Sequence, residues 1–157
     1  MTNFEEELER TGYLVYTNKG VSMMPLLREG RDVMIIRARR TGFQRNDAVI
    51  FKRDNGQYVL HRITKRLPDG RYFIIGDHCI GGELVQEDHI LGVLSEVRRD
   101  GRTIRVTDFG YRLYVLTVPL RRFVLRARIG VVQWAVDHIY GFPRKVLQKV
   151  YHFIKSG

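Results

Sequence analysis

Between residues 13 and 107 the chain is a series of short runs rich in Val, Ile, Tyr and Phe. The runs cover residues 13–17, 32–37, 47–53, 57–66, 71–76, 91–98 and 102–107. At three places an Asn-Gly or Asp-Gly dipeptide separates one run from the next. These dipeptides favour the positive φ angles of tight hairpin turns. Short strands joined by hairpins predict an antiparallel, mainly β domain.

The residues before this series predict a short helix over residues 3–11. Thr2 or Asn3 can cap its first turn, where glutamates suit the positive end of the helix dipole. Gly12 can end the helix, because glycine readily adopts the left-handed conformation found at helix C-termini. An entry strand then leads into the β domain.

From Tyr111 onward the apolar residues recur at three- and four-residue steps, which is the period of a helix. They are Leu113, Leu116, Leu120, Phe123, Ala127, Val131 and Trp134. After Gly141, Pro143 fits the first turn of a second helix. The expected fold class is therefore mainly β, with a small antiparallel β core, a short N-terminal helix and basic amphipathic C-terminal helices. Its three parts are residues 1–18, 19–110 and 111–157.

Positive charge is concentrated in the predicted helical tail. Residues 111–157 contain nine basic residues and one acidic residue, so +8 of the formal net charge of +10 lies there. A segment of this kind suits an anionic membrane surface or nucleic acid. We do not expect nucleic acid as the partner, because the chain contains no RNA- or DNA-binding motif. Two interpretations of the tail remain, an interfacial membrane anchor and helices whose apolar faces pack on the β core.

Other features argue against several classes of protein. The first residues are acidic where a signal peptide would be basic, and no stretch of eighteen residues is free of charge. We therefore expect a cytoplasmic protein or one peripheral on the cytoplasmic membrane face. The single Cys79 excludes an intramolecular disulfide. His78, Cys79 and His89 match no zinc signature, so no metal or other cofactor is expected.

Three motifs supply a nucleophile, a base and an acid in that order along the chain. Ser22 lies in Gly20-Val21-Ser22-Met23-Met24-Pro25, His61 lies in a β-forming run, and Asp77 lies in Gly76-Asp77-His78. A serine hydroxyl needs a neighbouring base to become a nucleophile, and a third, anionic group holds that base in the right tautomer. The sequence therefore contains the residue types of a serine hydrolase.

Two cations near His61 are poor substitutes for it as the base. On a strand, Lys65 lies about 13 Å further along, beyond reach of a hydroxyl positioned for His61. Arg62 points to the opposite face and does not lose its proton. His61 is therefore the predicted base.

The order of these motifs resembles the signal peptidase I family over about residues 20–97. The resemblance is carried by Ser22-Met23-Met24-Pro25, Gly30-Arg31-Asp32-Val33, His61-Arg62-Ile63, Gly76-Asp77-His78 and Ile90-Leu91-Gly92-Val93. The bacterial branch, like the similar LexA-type peptidases, has lysine in place of His61, whereas histidine resembles the archaeal and endoplasmic-reticulum branch. The resemblance implies a β-rich serine endopeptidase that cuts precursor proteins or peptides after small residues, usually beside a membrane.

The resemblance also implies roles for individual residues. Ser22 would attack the scissile carbonyl, His61 would act as general base, and Asp77 would orient the imidazole, with Glu83 as the alternative third acid. The backbone around the nucleophile would bind the oxyanion and the substrate, through Ser22 itself and the flanking Gly20, Val21 and Met23. Two other interpretations remain open, an inactive family member that binds peptide or membrane, and a LexA-type self-processing regulator, which His61 disfavours.

Overall fold

The computed structural model describes residues 3–17 and 19–135. These residues form two α-helices and eight strands: α1 (Phe4–Thr11), β1 (Tyr13–Thr17), β2 (Val33–Ala38), β3 (Ala48–Lys52), β4 (Tyr58–Arg66), β5 (Tyr72–Ile75), β6 (Glu83–Val85), β7 (Ile90–Arg99), β8 (Arg102–Arg105) and α2 (Phe109–Ala135). The predicted fold, mainly antiparallel β with a short N-terminal helix and a C-terminal helix, is confirmed. The strand β6 is an addition that the sequence pattern did not predict.

The eight strands form one antiparallel sheet. Its strand order is β1-β2-β7-β3-β4-β5-β6, and β8 pairs with β7. Strand β4 lies between β3 and β5, so His61 is opposite Val49 on one side and Arg62 is opposite Ile75 on the other. The predicted hairpin glycines adopt positive φ angles, 82° at Gly56 and 88° at Gly70. The turn chemistry therefore fixes the register that places His61 and Arg62.

The sheet is covered by apolar residues on both faces. Neighbouring residues of a strand point to opposite sides, so Ile50 and Val49 of β3 belong to different clusters. The first cluster also contains Leu60 of β4 and residues from both helices. The second contains Ile63 of β4 together with side chains of β5 and β7. By the same alternation His61 faces the second cluster and Arg62 faces the first.

Helix α1 begins and ends at the residues that the sequence indicated. The Asn3 side chain accepts a hydrogen bond from the Glu5 backbone N–H, which caps the first turn. Gly12 has φ 78°, and its N–H donates to the Leu8 carbonyl at 2.9 Å. Leu8 is buried and anchors the helix on the first cluster. Thr2, the other candidate cap, lies outside the described residues.

Helix α2 packs on the sheet with a different face from the one that the sequence indicated. Its buried residues are Tyr111, Val115, Val118 and Arg122. The predicted apolar series points outward instead, with exposed fractions of 73% at Leu116 and 68% at Phe123. Among the described residues, no helix is long and apolar enough to cross a membrane. The predicted second helix, after Gly141, lies outside the described residues.

Candidate active site

Ser22 lies in the segment between β1 and β2, and the residue after it anchors this segment. Met23 is fully buried in the first cluster, and its carbonyl accepts the Leu27 N–H at 3.0 Å. The Ser22 carbonyl accepts the His78 N–H at 2.8 Å, which ties the segment to the turn after β5. Ser22 itself is half-buried, so its position is fixed by its neighbours while its side chain remains accessible.

Gly76 allows three segments to meet beside Ser22. A Cβ at this position would lie 2.6 Å from the Ser22 carbonyl oxygen and 3.1 Å from His61 Cδ2. It would also lie 2.7 Å from the Cys79 Sγ. A contact of 2.6 Å with a backbone atom cannot be accommodated without moving the chain, so only glycine permits this close approach. The structure thus brings the predicted nucleophile segment and the predicted base together.

The two edges of the His61 imidazole face different groups. Its Nδ1 lies 3.6 Å from Glu83 Oε1 and, within the described part of the chain, makes no hydrogen bond. Its Cδ2 faces Gly76 and the Ser22 segment, and Nε2 is the ring atom bonded to Cδ2. Ser22 and His61 also line the same cleft. In a serine hydrolase the general base has Nδ1 towards a carboxylate and Nε2 towards the nucleophile, and the surroundings of Nδ1 and Cδ2 are compatible with that arrangement.

Burial keeps the His61 imidazole neutral. The side chain is 7% exposed, and its removal from water lowers the pKa of His61 from 6.5 to about 4. Glu83 opposes this shift by favouring the charged form, while the nearby Arg53 guanidinium favours the neutral form. A neutral imidazole can accept a proton, so His61 is in the base form across the physiological pH range.

Among the described residues Asp77 makes no ion pair with His61, which argues against the expectation that it orients the imidazole. It is buried, and Arg62 donates Nε to Oδ1 at 2.8 Å and Nη2 to Oδ2 at 2.7 Å. Tyr114 donates its hydroxyl to the same carboxylate at 2.9 Å. The cause is strand alternation, because Asp77 comes two residues after the partner of Arg62, on the face opposite His61. The geometry therefore assigns Asp77 a structural ion pair.

Glu83, the alternative acid, is the carboxylate nearest to His61. Among the described residues, Glu83 is the only acidic residue that pairs with His61. Arg53 holds both Glu83 oxygens, with Nε at 2.7 Å from Oε2 and Nη2 at 2.6 Å from Oε1. Sequence reasoning did not identify Arg53, although it lies at the end of the run paired with β4. The Arg53–Glu83 ion pair fixes the Glu83 carboxylate next to His61 Nδ1.

An open cleft of about 530 Å³ leads to the site. Aromatic and aliphatic side chains from α1, β1 and β4 form one wall, including Phe4, Tyr16, Tyr58 and Leu60. The Phe4 ring stacks on Tyr58 with 4.6 Å between centroids and meets Tyr16 edge-on at 4.9 Å. Ser22, His61 and Cys79 also line the cleft. The cleft can hold an extended segment of another chain against apolar walls.

Cys79 is a second potential nucleophile in the cleft, and the sequence did not indicate this role. Burial raises the pKa of the Cys79 thiol, which therefore remains protonated near neutral pH. A thiol is a far weaker nucleophile than a thiolate. The local environment thus gives the Cys79 thiol little nucleophilic character. Within residues 3–17 and 19–135, no cluster of His, Cys, Asp or Glu has the arrangement of a metal site.

The inner face of α2 fixes the turn beside the site, a role that the predicted periodicity did not reveal. Arg122 donates to the Ile75 carbonyl at 3.0 Å, and its Nη2 lies 3.5 Å from Asp77. Arg126 donates to the Ile80 carbonyl at 3.0 Å. These contacts span both ends of the turn that contains Gly76. The signal in the sequence was a second periodic series, Tyr111, Val115, Val118 and Arg122, which mixes apolar and polar residues.

Comparison with known proteins adds no family assignment. No protein-family model matches the chain, and no curated protein sequence matches it significantly. The functional argument for this protein therefore rests on the geometry around Ser22 and His61.

Proposed function

We propose that this protein is a serine endopeptidase with Ser22 as nucleophile and His61 as general base. The observation that carries the proposal is the orientation of His61, whose Nδ1 faces Glu83 and whose Cδ2 edge faces the Ser22 segment. The neutral imidazole and the adjoining cleft are consistent with that chemistry. The resemblance to signal peptidases points to the same two residues, with histidine in place of the bacterial lysine.

The reaction would proceed in two steps. Ser22 Oγ attacks the carbonyl carbon of the peptide bond while its proton moves to His61 Nε2, and the C–N bond then breaks as that proton passes to the leaving amine. Water next gives a proton to Nε2 and attacks the ester, which releases the acid and returns the proton to Ser22. Both steps form a tetrahedral oxyanion.

Two further groups would support these steps. Glu83 would stabilise the imidazolium through Nδ1, and its fixed position beside Arg53 supports this role. The Ser22 backbone N–H is the proposed oxyanion donor. The Gly20 N–H already donates to Glu29 at 2.7 Å, so it is not assigned to the oxyanion.

The proposed substrates are extended segments of precursor proteins or peptides, cut after small residues. An extended chain can lie along the cleft wall formed by Tyr58 and Leu60 and present its carbonyl to Ser22. The preference for small residues follows from the resemblance alone. A location on the cytoplasmic side is also proposed, because the only cysteine is free and no disulfide stabilises the described domain.

Peptide profiling tests the proposal and requires no known substrate. The full-length chain is incubated with a proteome-derived peptide library, and new termini are identified by mass spectrometry. Cleavage after small residues is expected for the wild type and for Cys79→Ala, but not for Ser22→Ala. If no peptide is cut, or if Ser22→Ala cuts the same peptides, the peptidase assignment fails. Stable peptide binding without cleavage would indicate an inactive binding module.

A further inference from the structure

Helix α2 has an apolar stripe on its solvent side. Its members are Leu113, Leu116, Leu120, Phe123, Val124, Val131 and Trp134, all of them exposed. They recur at helical spacing and span about 100° of the helix surface, the width of the apolar face of an amphipathic helix. The opposite face carries Tyr111, Val115 and Val118, which are buried against the sheet. We call the solvent-side set the outer stripe.

Arginines border the outer stripe on both sides. Each residue of an α-helix is rotated about 100° from the one before it, which places Arg112 along one border and Arg121 and Arg128 along the other. All three are exposed. The helix contains no Asp or Glu between Phe109 and Ala135. An apolar centre with cationic borders is the surface chemistry of an interfacial helix.

The inner face of α2 packs on the domain. Tyr111, Val115 and Val118 are buried, the first two of them in the first cluster, and Arg122 donates to the Ile75 carbonyl at the end of β5. Leu116, Leu120 and Phe123 of the outer stripe are 73%, 65% and 68% exposed, so packing on the sheet does not explain their apolar character. Exposed apolar patches of this kind mark sites of interaction.

We propose that the outer stripe binds the surface of an anionic phospholipid bilayer, with α2 lying in the plane of the interface. The apolar side chains would enter the boundary between headgroups and acyl chains, while the arginines would contact lipid phosphates. Charge complementarity selects this partner. A second copy of the chain would bring the same arginines together, and nucleic acid would meet the apolar centre of the stripe.

The proposal has a geometric consequence for the domain. Arg122 and Arg126 connect α2 to the carbonyls of Ile75 and Ile80, on either side of Gly76. A bilayer bound to the outer stripe is therefore one helix diameter, about 10 Å, from the turn that borders the cleft. Bilayer binding itself requires no catalysis, so Ser22→Ala should bind as the wild type does.

Vesicle co-sedimentation of the full-length chain tests the proposal. We expect binding to vesicles of phosphatidylcholine mixed with phosphatidylglycerol and much weaker binding to phosphatidylcholine alone. The variant Leu116→Gln/Leu120→Gln/Phe123→Gln should bind at least about tenfold more weakly, because it removes apolar area from the stripe. The matched control is Tyr13→Gln/Val15→Gln, which changes apolar side chains of β1 that are each 50% exposed. It should bind as the wild type does.

Fluorescence locates the contact. Trp134 is the only tryptophan of the chain and belongs to the outer stripe. Anionic vesicles should shift its emission to shorter wavelength, and brominated acyl chains should quench it. The proposal is overturned if the wild type stays in the supernatant, or if the triple variant sediments equally well. It is also overturned if light scattering shows a dimer that the triple variant abolishes, since the stripe is then covered by a second copy.

Discussion

Strand β4 places two neighbouring residues, Arg62 and His61, in opposite kinds of surroundings. On one face Arg62 is fully buried and paired, with bonds to both oxygens of Asp77 and to the Tyr111 hydroxyl at 3.1 Å. On the other face His61 is buried, yet its Nδ1 makes no hydrogen bond with any described residue and Glu83 lies 3.6 Å away. Buried polar groups are normally satisfied, so an exception that borders a cleft is consistent with the proposed role of His61. In the proposed function, the bonds of Arg62 are structural, whereas His61 takes part in the chemistry.

The largest effect is expected from removal of the nucleophile on the His61 face. Ser22→Ala should lower kcat by up to about 10⁶-fold, and His61→Ala should have a similar effect, because the two residues act as a unit. The free energy of unfolding should change little for Ser22→Ala, whose side chain is half-buried. Turnover of a library-derived peptide and urea denaturation measure the two quantities. Substantial activity in Ser22→Ala would remove the chemical role from this face.

Removal of α2 tests the Arg62 face, where we expect a loss of stability. A chain ending at Gly110 loses Tyr111 and Tyr114, which are partners of the Arg62–Asp77 pair, and several buried apolar side chains. At about 1.5–3 kcal/mol for each large buried apolar side chain, the loss should approach the total stability of a small domain. We expect this chain to be unfolded by circular dichroism. A chain ending at Ala135 is the control, and a folded 1–110 fragment would show that α2 is dispensable.

Asp77→Asn and Glu83→Gln test the two faces separately, because each variant replaces a single carboxylate oxygen. Asp77→Asn removes one partner of a buried ion pair and should cost about 3 kcal/mol of unfolding free energy. Glu83→Gln should leave stability nearly unchanged, because the carboxylate is partly exposed. It should nevertheless lower kcat by about 10²- to 10⁴-fold, since the imidazolium loses its counter-charge. The reverse pattern would return the orienting role to Asp77.

The pH dependence of kcat/KM and of folding stability provides a smaller effect, which depends on His61 alone. Because burial lowers the pKa of His61 to about 4, kcat/KM should fall only as pH drops through about 4. The unfolded chain binds this proton below about 6.5, so folding stability should decrease by about 3 kcal/mol between pH 6.5 and pH 4. His61→Gln is the control and should lack this part of the slope. A limb near pH 6.5 would mean that the imidazole is solvated.

Much of the scaffold could be predicted because its signals are local. The hairpin glycines, the apolar runs and the Asn3 and Gly12 caps act within a few residues, and the structure follows them. Strand β6 was missed because Glu83–Val85 is too short to show a period. Its formation depends on pairing with β5, which is a tertiary effect.

The site was only partly predictable, because its side chains find their hydrogen-bond and ion-pair partners on other elements of the fold. Ser22 and His61 could be proposed from their motifs, but a Gly-Asp turn can face either side of the neighbouring strand. Asp77 bonds to Arg62 because that side chain offers two charge-assisted donors. The inner face of α2 was missed for the same reason, since Tyr114 and Arg122 bind a buried carboxylate rather than extend an apolar pattern.

Labelling by a fluorophosphonate tests the activation of Ser22 by His61 most directly, since it needs no known substrate. The rate constant of labelling is measured by intact-mass spectrometry, and the labelled residue is located by peptide mapping. We predict one label on Ser22, a rate at least about a hundredfold lower in His61→Gln, and a near wild-type rate in Cys79→Ala. No label on Ser22 in the folded chain, or a rate that is unchanged in His61→Gln, would contradict the assignment of these two residues as nucleophile and base.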